Sequence, residues 1–175
     1  LLKSQRLIRR ILDTSPNIIF TYDLAARRFT YVTSEIKPIL GYEVDEFIRF
    51  TEEEFTQRVL PEDLPELDRH QRQLLLLLDG EVLEIDYRFL SRNHDWRWLK
   101  SRQTIFMRAA QGTPIETIGV IQDVTASKLA EQALRKSEAR YRAIVEDHQT
   151  EMICRFLPDA TLTFVNEAYC RYYQQ

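Results

Sequence analysis

The segment LEIDYRFLSRNHDWRWL, residues 83 to 99, decides the fold of this chain. Four apolar side chains alternate in it with charged ones, so the first half predicts a strand with one buried and one solvated face; these four are Leu83, Ile85, Tyr87 and Phe89. Asn93 and His94 form a tight turn, and a second strand begins near Trp96. The segment therefore predicts an antiparallel hairpin within a sheet.

The flanking sequence extends this hairpin into a larger sheet. After a turn at residues 111–114, ETIGVIQDV (116–124) predicts a third strand, and IIFTYD (18–23) and FTYVT (29–33) predict two strands near the start. Short helical segments and a longer helix, predicted from Pro61 to Leu78, separate the two groups of strands. The sequence thus predicts an α+β fold, a five-stranded antiparallel sheet with helices on one face.

Part of the chain repeats at an offset of 133 residues. The first residues, LLKSQRLIRRILD, return as LRKSEARYRAIVE from residue 134, and FTYVTSE (29–35) aligns with LTFVNEA (162–168). A helix and a strand recurring at one spacing indicate a tandem array. We therefore predict an entering helix over residues 1–15, a domain over 16–125, an outgoing connector helix over 126–147, and the truncated start of a second repeat over 148–175.

Composition narrows the classes of function. Net charge is −3 with acids and bases interspersed, so no basic face for nucleic acid is expected. The longest apolar run, Leu74 to Leu78, is far shorter than the roughly 20 residues that cross a bilayer, and the chain does not open with a signal-peptide pattern. We expect a cytoplasmic module without direct membrane contact. The two cysteines lack the number and spacing of a disulfide framework or a metal site.

Four sequence motifs carry a family resemblance. TSEIKPILGY (33–42), LPEDL (60–64), YRFLSRNHDWRWL (87–99) and GVIQDVT (119–125) occur in this order. Together they resemble a PAS domain of the sensory-box type followed by its PAC segment, from a bacterial multidomain signalling protein. One departure is Asn93-His94, where the family usually has Asp-Gly, because His94 lacks the conformational freedom of glycine.

His70 has two interpretations. In haem-binding PAS oxygen sensors the corresponding helix supplies the proximal histidine, so the resemblance allows His70 to be an iron ligand. The alternative is a surface histidine, since its neighbours along the chain are polar on both sides. We predict a protein that binds no haem or flavin as isolated, and haem remains the alternative.

Cys154 lies in ICRFLPD, which is similar to the adduct-forming cysteine motif of flavin-binding blue-light receptors. In those receptors the motif lies on a helix, whereas the repeat places Cys154 on the first strand of the second unit. Residues 16–125 contain no cysteine, so the first unit cannot form such an adduct.

The end of the last strand is the predicted signalling junction. Thr125 is suited to cap the outgoing helix, and Asp123 is expected to pair with a cation on the neighbouring strand such as Arg97. A structural cap alone would explain both residues. The resemblance to PAS proteins implies more, namely that this junction transmits a change in the sheet to the helix.

The outgoing helix carries a stripe that we call the seam. Its members are spaced three, four, three, four and three residues apart, as in a two-stranded coiled coil; they are Ser127, Ala130, Leu134, Ser137, Tyr141 and Ile144. Two serines and an alanine make the seam weak. It is either a monomeric amphipathic helix or a self-association surface with two packings close in energy.

No motif indicates an enzyme active site. The predicted function is a sensory or regulatory PAS module that detects a small ligand or partner and transmits the signal through the helix to an output domain, as in a sensor histidine kinase. The alternatives are a haem- or flavin-bearing redox or gas sensor, and a ligand-free dimerisation module of a diguanylate cyclase. In each case any catalytic domain lies outside this chain.

Overall fold

A computed structural model describes residues 3, 10, 14–147 and 152–173, with the side chains of 143–147 left aside. The chain divides into two compact units, Leu1–Ala126 and Ser127–Gln175, which are described separately. Most of the predicted entering helix lies outside the described residues. Within the described part, no helix has both the length and the apolar content needed to cross a bilayer.

The first unit contains the predicted five-stranded antiparallel sheet, which is confirmed. The strands are β1 (Ile18–Asp23), β2 (Arg28–Val32), β3 (Leu83–Leu90), β4 (Trp96–Arg108) and β5 (Pro114–Asp123). Their order in the sheet is β2-β1-β5-β4-β3, so β5, the last strand of this unit, lies at the centre next to β1.

Four helices connect β2 to β3 and pack on one face of the sheet, the inner face. They are α1 (Ile36–Leu40), α2 (Val44–Ile48), α3 (Glu52–Thr56) and α4 (Leu64–Leu74), and a 3₁₀ turn, Pro61–Asp63, precedes α4. The prediction that the long helix continues to Leu78 is wrong. After Leu74 the backbone tightens into i to i−3 bonds that bury Leu77, while Leu76 stays 81% exposed.

The core lies between these helices and the inner face. The predicted alternation in β3 is confirmed, because Ile85, Tyr87 and Phe89 are at most 5% exposed whereas Glu84 reaches solvent. Aromatic rings fill the space opposite the sheet, with Phe29, Phe47 and Phe55 in mutual contact at centroid distances of 5.0 to 6.3 Å.

Strand register places two polar residues of β4 on the inner face. Ser101 pairs with Ile85 on one side and Ile121 on the other, and Gln103 pairs with Leu83 and Gly119. Residues directly opposite in an antiparallel sheet point to the same face. Ser101 and Gln103 therefore point toward the helices and not toward solvent.

The LPEDL motif fixes the edge of the sheet. Asp63 accepts hydrogen bonds from the backbone N–H and from both ends of the guanidinium of Arg88, at 2.7 to 2.9 Å. These bonds lower the pKa of the Asp63 carboxyl, with the side-chain bond to Arg88 the largest cause. The start of α4 is thereby tied to β3.

In the β3–β4 turn, the positive φ lies at His94, the second of the two predicted turn residues. His94 has φ +63°, whereas Asn93 has an ordinary negative φ. The backbone N–H of His94 donates to the Ser91 carbonyl at 3.0 Å, and Ser91 N–H donates to the Asp95 carbonyl at 2.9 Å. The left-handed conformation is thus adopted by His94, although asparagine tolerates it better than histidine does.

The second unit contains the outgoing helix beyond Ala126 and a short hairpin. The helix α5 (Thr125–Asp147) is followed by β6 (Cys154–Phe156), β7 (Leu162–Val165) and α6 (Glu167–Tyr173). The strands β6 and β7 pair antiparallel. Cys154 begins a strand, as the repeat predicts.

The two hairpins share local details at the repeat spacing, with a one-residue slip in the first strand. In the first unit the Ile19 N–H donates to the Thr33 hydroxyl and the Thr33 N–H donates to the Ile19 carbonyl. In the second unit Ile153 and Asn166 exchange the same two bonds. Two further non-glycine residues with positive φ also lie 133 positions apart, namely Arg27 and Ala160.

Candidate functional site

A small cavity lies between the inner face of the sheet and helices α3 and α4. Its volume is about 50 Å³, room for roughly three or four water molecules. Much of its lining is apolar, including Phe20, Phe29, Phe55, Leu74, Ile85 and Ile121. The sheet and the helices each supply one wall, so a change in either alters the cavity.

Four polar residues form a polar cluster at this cavity, three of them buried and Gln103 partly buried: His70, Ser101, Gln103 and Thr117. The Gln103 amide nitrogen lies 3.1 Å from His70 Nε2 and 3.4 Å from Ser101 Oγ, and the Thr117 hydroxyl donates to the Gln103 amide oxygen at 3.2 Å. Three members are at most 2% exposed, and His70, Ser101 and Gln103 line the cavity. The interpretation of His70 as a surface histidine is therefore wrong.

Burial keeps His70 uncharged near neutral pH. Loss of solvent lowers its pKa from 6.5 to about 4, and nearby Glu66 opposes this only in part. A neutral imidazole accepts at one nitrogen and donates at the other. Because the Gln103 amide oxygen is bonded by Thr117, the amide nitrogen donates to His70 Nε2 and the imidazole proton lies on Nδ1.

Gly119 makes room for this arrangement. A methyl group there would lie 2.6 Å from the Phe20 ring, 2.8 Å from Cγ of Gln103 and 2.7 Å from the carbonyl oxygen of Arg102. The missing side chain allows the Phe20 ring and the Gln103 stem to cross β5 on the inner face.

Tyr87 adds a hydroxyl to the same cavity. The residue is 3% exposed and its side chain lines the cavity. Among the described residues its hydroxyl has no hydrogen-bond partner, and burial alone raises its pKa.

Arg27 closes the solvent side of the cavity. From the β1–β2 turn its guanidinium reaches Glu52 of α3 at 2.8 Å and also contacts the Gln71 side chain of α4. Tyr22 lies beneath it, and burial raises the pKa of Tyr22 to about 12 although Arg27 opposes the shift. This bridge joins the first hairpin to both helices over the cavity.

The predicted junction residues lie together at the end of β5. Arg97 and Asp123 form an ion pair at 3.4 Å, and the other carboxylate oxygen of Asp123 accepts from the Thr125 N–H at 2.9 Å. The prediction that Thr125 caps the helix through its hydroxyl is wrong, because Thr125 is already the first helical residue and its hydroxyl accepts from the backbone N–H of Trp98 at 2.9 Å. Arg97 Nε is buried and, among the described residues, lacks a partner.

The seam lies on the surface of α5 within the described chain. Ser127, Ala130 and Ser137 are exposed, and Leu134 and Tyr141 are 61% and 62% exposed. Ile144 belongs to the helix, but its side chain lies outside the described part. Two large apolar side chains on one exposed stripe indicate a surface that is available to a partner.

Comparison with known proteins identifies the family. A family model described as a PAS fold matches residues 29–121, more than half of the chain. The chain belongs to the PAS family. It is a PAS sensory domain of the kind found in signalling proteins, and PAS domains of this kind are linked to output domains and dimerise.

Two curated proteins are similar to this chain over part of their length. The two-component sensor PprA of Pseudomonas aeruginosa is 30% identical over 164 residues, which is 93% of this chain and 17% of that protein. The uncharacterized protein y4lL of Sinorhizobium fredii is 32% identical over 87 residues, 50% of this chain and 10% of that protein. The chain thus spans a small part of these relatives.

Solved structures have the same PAS fold. A sensory box histidine kinase/response regulator from Burkholderia thailandensis superposes with a TM-score of 0.61 and 25% identity, covering 77% of this chain and 97% of that one. The N-terminal domain of a diguanylate cyclase with a PAS/PAC sensor from Marinobacter aquaeolei gives 0.55 and 22%, covering 64% and 98%. At 22% identity, the similarity to the diguanylate cyclase domain shows a shared fold and nothing more.

The PAS cavity does not fit a haem. A cavity of about 50 Å³ is smaller than the roughly 150 Å³ that encloses one benzene, and Nε2 of His70 is already bonded by the Gln103 amide. Cys154 lies on a strand of the second unit, so it does not provide a flavin adduct site in the first. Within the described residues, no group of three or more His, Cys, Asp or Glu side chains is arranged to hold a metal ion.

Sequence reasoning missed Ser101, Gln103 and Tyr87 as lining groups of the PAS cavity, and Thr117 as the partner of Gln103. The burial of His70 could have been predicted from its spacing in the sequence. It lies three residues after Leu67 and four before Leu74, and both leucines are buried. Residues at these spacings share one helix face. His70 was therefore on the buried face of α4 despite its polar neighbours in sequence.

Proposed function

We propose that this chain is the sensory module of a signalling protein, most simply a sensor histidine kinase. It detects a small ligand in the cavity and transmits the change through α5 to an output domain outside the chain. The similarity to the two-component sensor PprA supports the class of parent protein. The proposal places the module in the cytoplasm, where ATP is available to a kinase.

One observation carries this proposal, namely that a single strand reaches both the cavity and the helix. In β4, Ser101 and Gln103 line the cavity, and Trp98, three residues before Ser101, is bonded to Thr125. A strand is stiff over so short a distance. Movement of the inner face in response to a ligand is therefore expected to reach the first turn of α5.

We also propose self-association along the seam and a tandem array. The exposed Leu134 and Tyr141 support the first part of this proposal. The paired bonds of Ile19 with Thr33 and of Ile153 with Asn166 support the second. In this arrangement α5 is both the exit of one PAS unit and the entrance to the next.

A cofactor-free cavity is part of the proposal. The volume of about 50 Å³ and the bonded state of His70 support it. An absorption spectrum of the purified chain tests it, and the expected result is no band beyond the aromatic region. A stoichiometric Soret band or flavin spectrum would instead establish the cofactor-bearing class of sensor.

A double-mutant cycle in a full-length protein carrying this chain tests transmission. Gln103→Leu alters the cavity, Thr125→Val alters the junction, and kinase output is measured for each variant and for the pair. If the two sites lie on one path, both single changes alter output and their effects are not additive. Normal output from both single variants would remove the basis for the proposal.

A further inference from the structure

Two hydroxyl groups in the cavity have protons without an acceptor. The Tyr87 hydroxyl has no hydrogen-bond partner among the described residues. The Ser101 oxygen accepts from the Gln103 amide at 3.4 Å, which leaves its own proton free to donate. Both residues are at most 3% exposed, and they are diagonal neighbours on the paired strands β3 and β4.

The protein's own acceptors in this region are already used. The Gln103 amide oxygen accepts from Thr117, and His70 Nε2 faces the Gln103 amide nitrogen. The protons of the Tyr87 and Ser101 hydroxyl groups are therefore left without an acceptor among the described residues. Buried polar groups are usually paired, so a molecule that supplies an acceptor would complete this lining.

The charge of the lining restricts the occupant further. The charged side chains that line the cavity are Arg27, Arg28 and Glu52, all accessible to solvent, and Arg27 is paired with Glu52. The inner groups are neutral, His70 included. An anion next to Tyr87 and Ser101 would thus lose its hydration without gaining a cation.

We propose that the cavity binds a small uncharged molecule that carries a hydrogen-bond acceptor, held by the hydroxyl groups of Tyr87 and Ser101. This inference rests on the proposed function, because it names the class of ligand that the sensory cavity takes. The volume of about 50 Å³ limits the molecule to about four non-hydrogen atoms. Small ketones, amides and alcohols belong to this class.

Titration of the purified chain with acetone tests the proposal by backbone amide NMR. Acetone is expected to give saturable shifts at Ile85 and Gln103 in the millimolar range. Acetate has the same number of non-hydrogen atoms but carries a negative charge, and it is expected to leave these signals unchanged. Shifts confined to residues away from the cavity, or equal binding of acetate, would overturn the proposal.

Two tyrosine variants separate binding from folding. Tyr87→Phe is expected to weaken acetone binding about five-fold, the usual effect of one lost hydrogen bond, without lowering Tm of the free protein. Tyr42→Phe is the matched control, since the Tyr42 hydroxyl donates to the Leu90 carbonyl at 3.1 Å and lies outside the cavity. It is expected to lower Tm and to leave acetone affinity unchanged.

Equal acetone affinity in Tyr87→Phe and the unaltered chain would overturn the assignment of the ligand class, as would a lowered Tm in Tyr87→Phe. The double-mutant cycle in the full-length protein is independent of this result. If Gln103→Leu and Thr125→Val still change output, the sensory function stands and only the ligand class fails. If output is also unaffected, both fail.

Discussion

The backbone N–H of Trp98 donates a hydrogen bond of 2.9 Å to the side chain of Thr125, the first residue of α5. The next bond runs in the opposite direction, from the Val124 N–H to the Trp98 carbonyl at 2.8 Å. The start of the helix is therefore bonded to β4 as closely as a strand is to its neighbour. We therefore predict that a displacement of β4 reaches Thr125, the first residue of α5.

Replacing Thr125 with Val is expected to weaken this attachment. Valine has the same shape but lacks the hydroxyl, so the partly buried Trp98 N–H loses its acceptor. We expect the free energy of unfolding to fall by about 1–2 kcal/mol, measured by urea denaturation. Self-association of the chain should be unchanged, since residue 125 lies outside the seam.

Thr125→Ser is the control for this prediction. Serine retains the hydroxyl oxygen and so retains the bond to Trp98, and we expect a loss of stability well under that of the valine variant. A serine variant as destabilised as the valine variant would mean that the methyl group of Thr125, and not its hydroxyl, holds the helix start.

His70 is expected to make stability depend on pH. Its pKa is about 4 in the folded chain and 6.5 when unfolded, so the unfolded state binds the proton first. Stability is thus fully present above pH 6.5 and is lost as the pH falls toward 4. By linkage, we expect a loss of roughly 2 kcal/mol between pH 7.5 and 5 from this residue.

Urea denaturation of His70→Gln at the same pH values isolates this effect. Carboxylates titrate in both proteins and cancel in the comparison, while the variant lacks the imidazole. The stability difference between the original chain and the variant should therefore shift by roughly 2 kcal/mol in favour of the variant on going to pH 5. A difference that is constant with pH would show that His70 is protonated as readily in the folded chain as in the unfolded one.

Ser137→Leu is expected to strengthen self-association. On a coiled-coil seam a leucine replaces a polar group with a side chain that fills the opposing hole, and we expect the dimer dissociation constant to fall about ten-fold or more. Analytical ultracentrifugation measures this constant. Lys136→Leu adds the same side chain one position away from the seam and should have a much smaller effect; equal effects would argue against the seam.

His94→Gly is expected to stabilise the chain. The side chain of His94 is exposed and its φ is +63°, a conformation that costs a residue with a Cβ about 1–2 kcal/mol and that glycine adopts freely. After the greater unfolded-state entropy of glycine is subtracted, we expect a net gain of about 0.5–1 kcal/mol by thermal denaturation. Asn93→Gly, at an ordinary φ, should give a loss instead.

The sheet could be predicted from the sequence because its signals are local. In β3 the alternation of Ile85 and Tyr87 with Asp86 and Arg88 depends only on neighbouring residues, and it is reproduced in the structure. The pairing of Arg97 with Asp123 followed from placing both residues on adjacent strands. Their role in transmission stays a prediction.

The polar lining could not be predicted because it depends on register between distant segments. Ser101 and Gln103 alternate with Lys100 and Arg102, so both faces of β4 look polar in this stretch of the sequence. Only the pairing of Gln103 with Gly119 shows which face is buried. The end of α4 was missed for a related reason, because all residues from Leu74 to Leu78 are equally apolar but only Leu74 and Leu77 find space in the core.

The close packing over Gly119 makes this PAS domain vulnerable to the smallest of mutations. Glycine and alanine codons differ by a single base, yet an alanine methyl group here would approach a backbone oxygen, the Phe20 ring and the Gln103 stem at once. The oxygen belongs to the strand pairing and cannot step aside as a flexible side chain would. One base change therefore disturbs the sheet and the cavity together, because the Phe20 ring lines the cavity and the Gln103 stem belongs to its polar cluster.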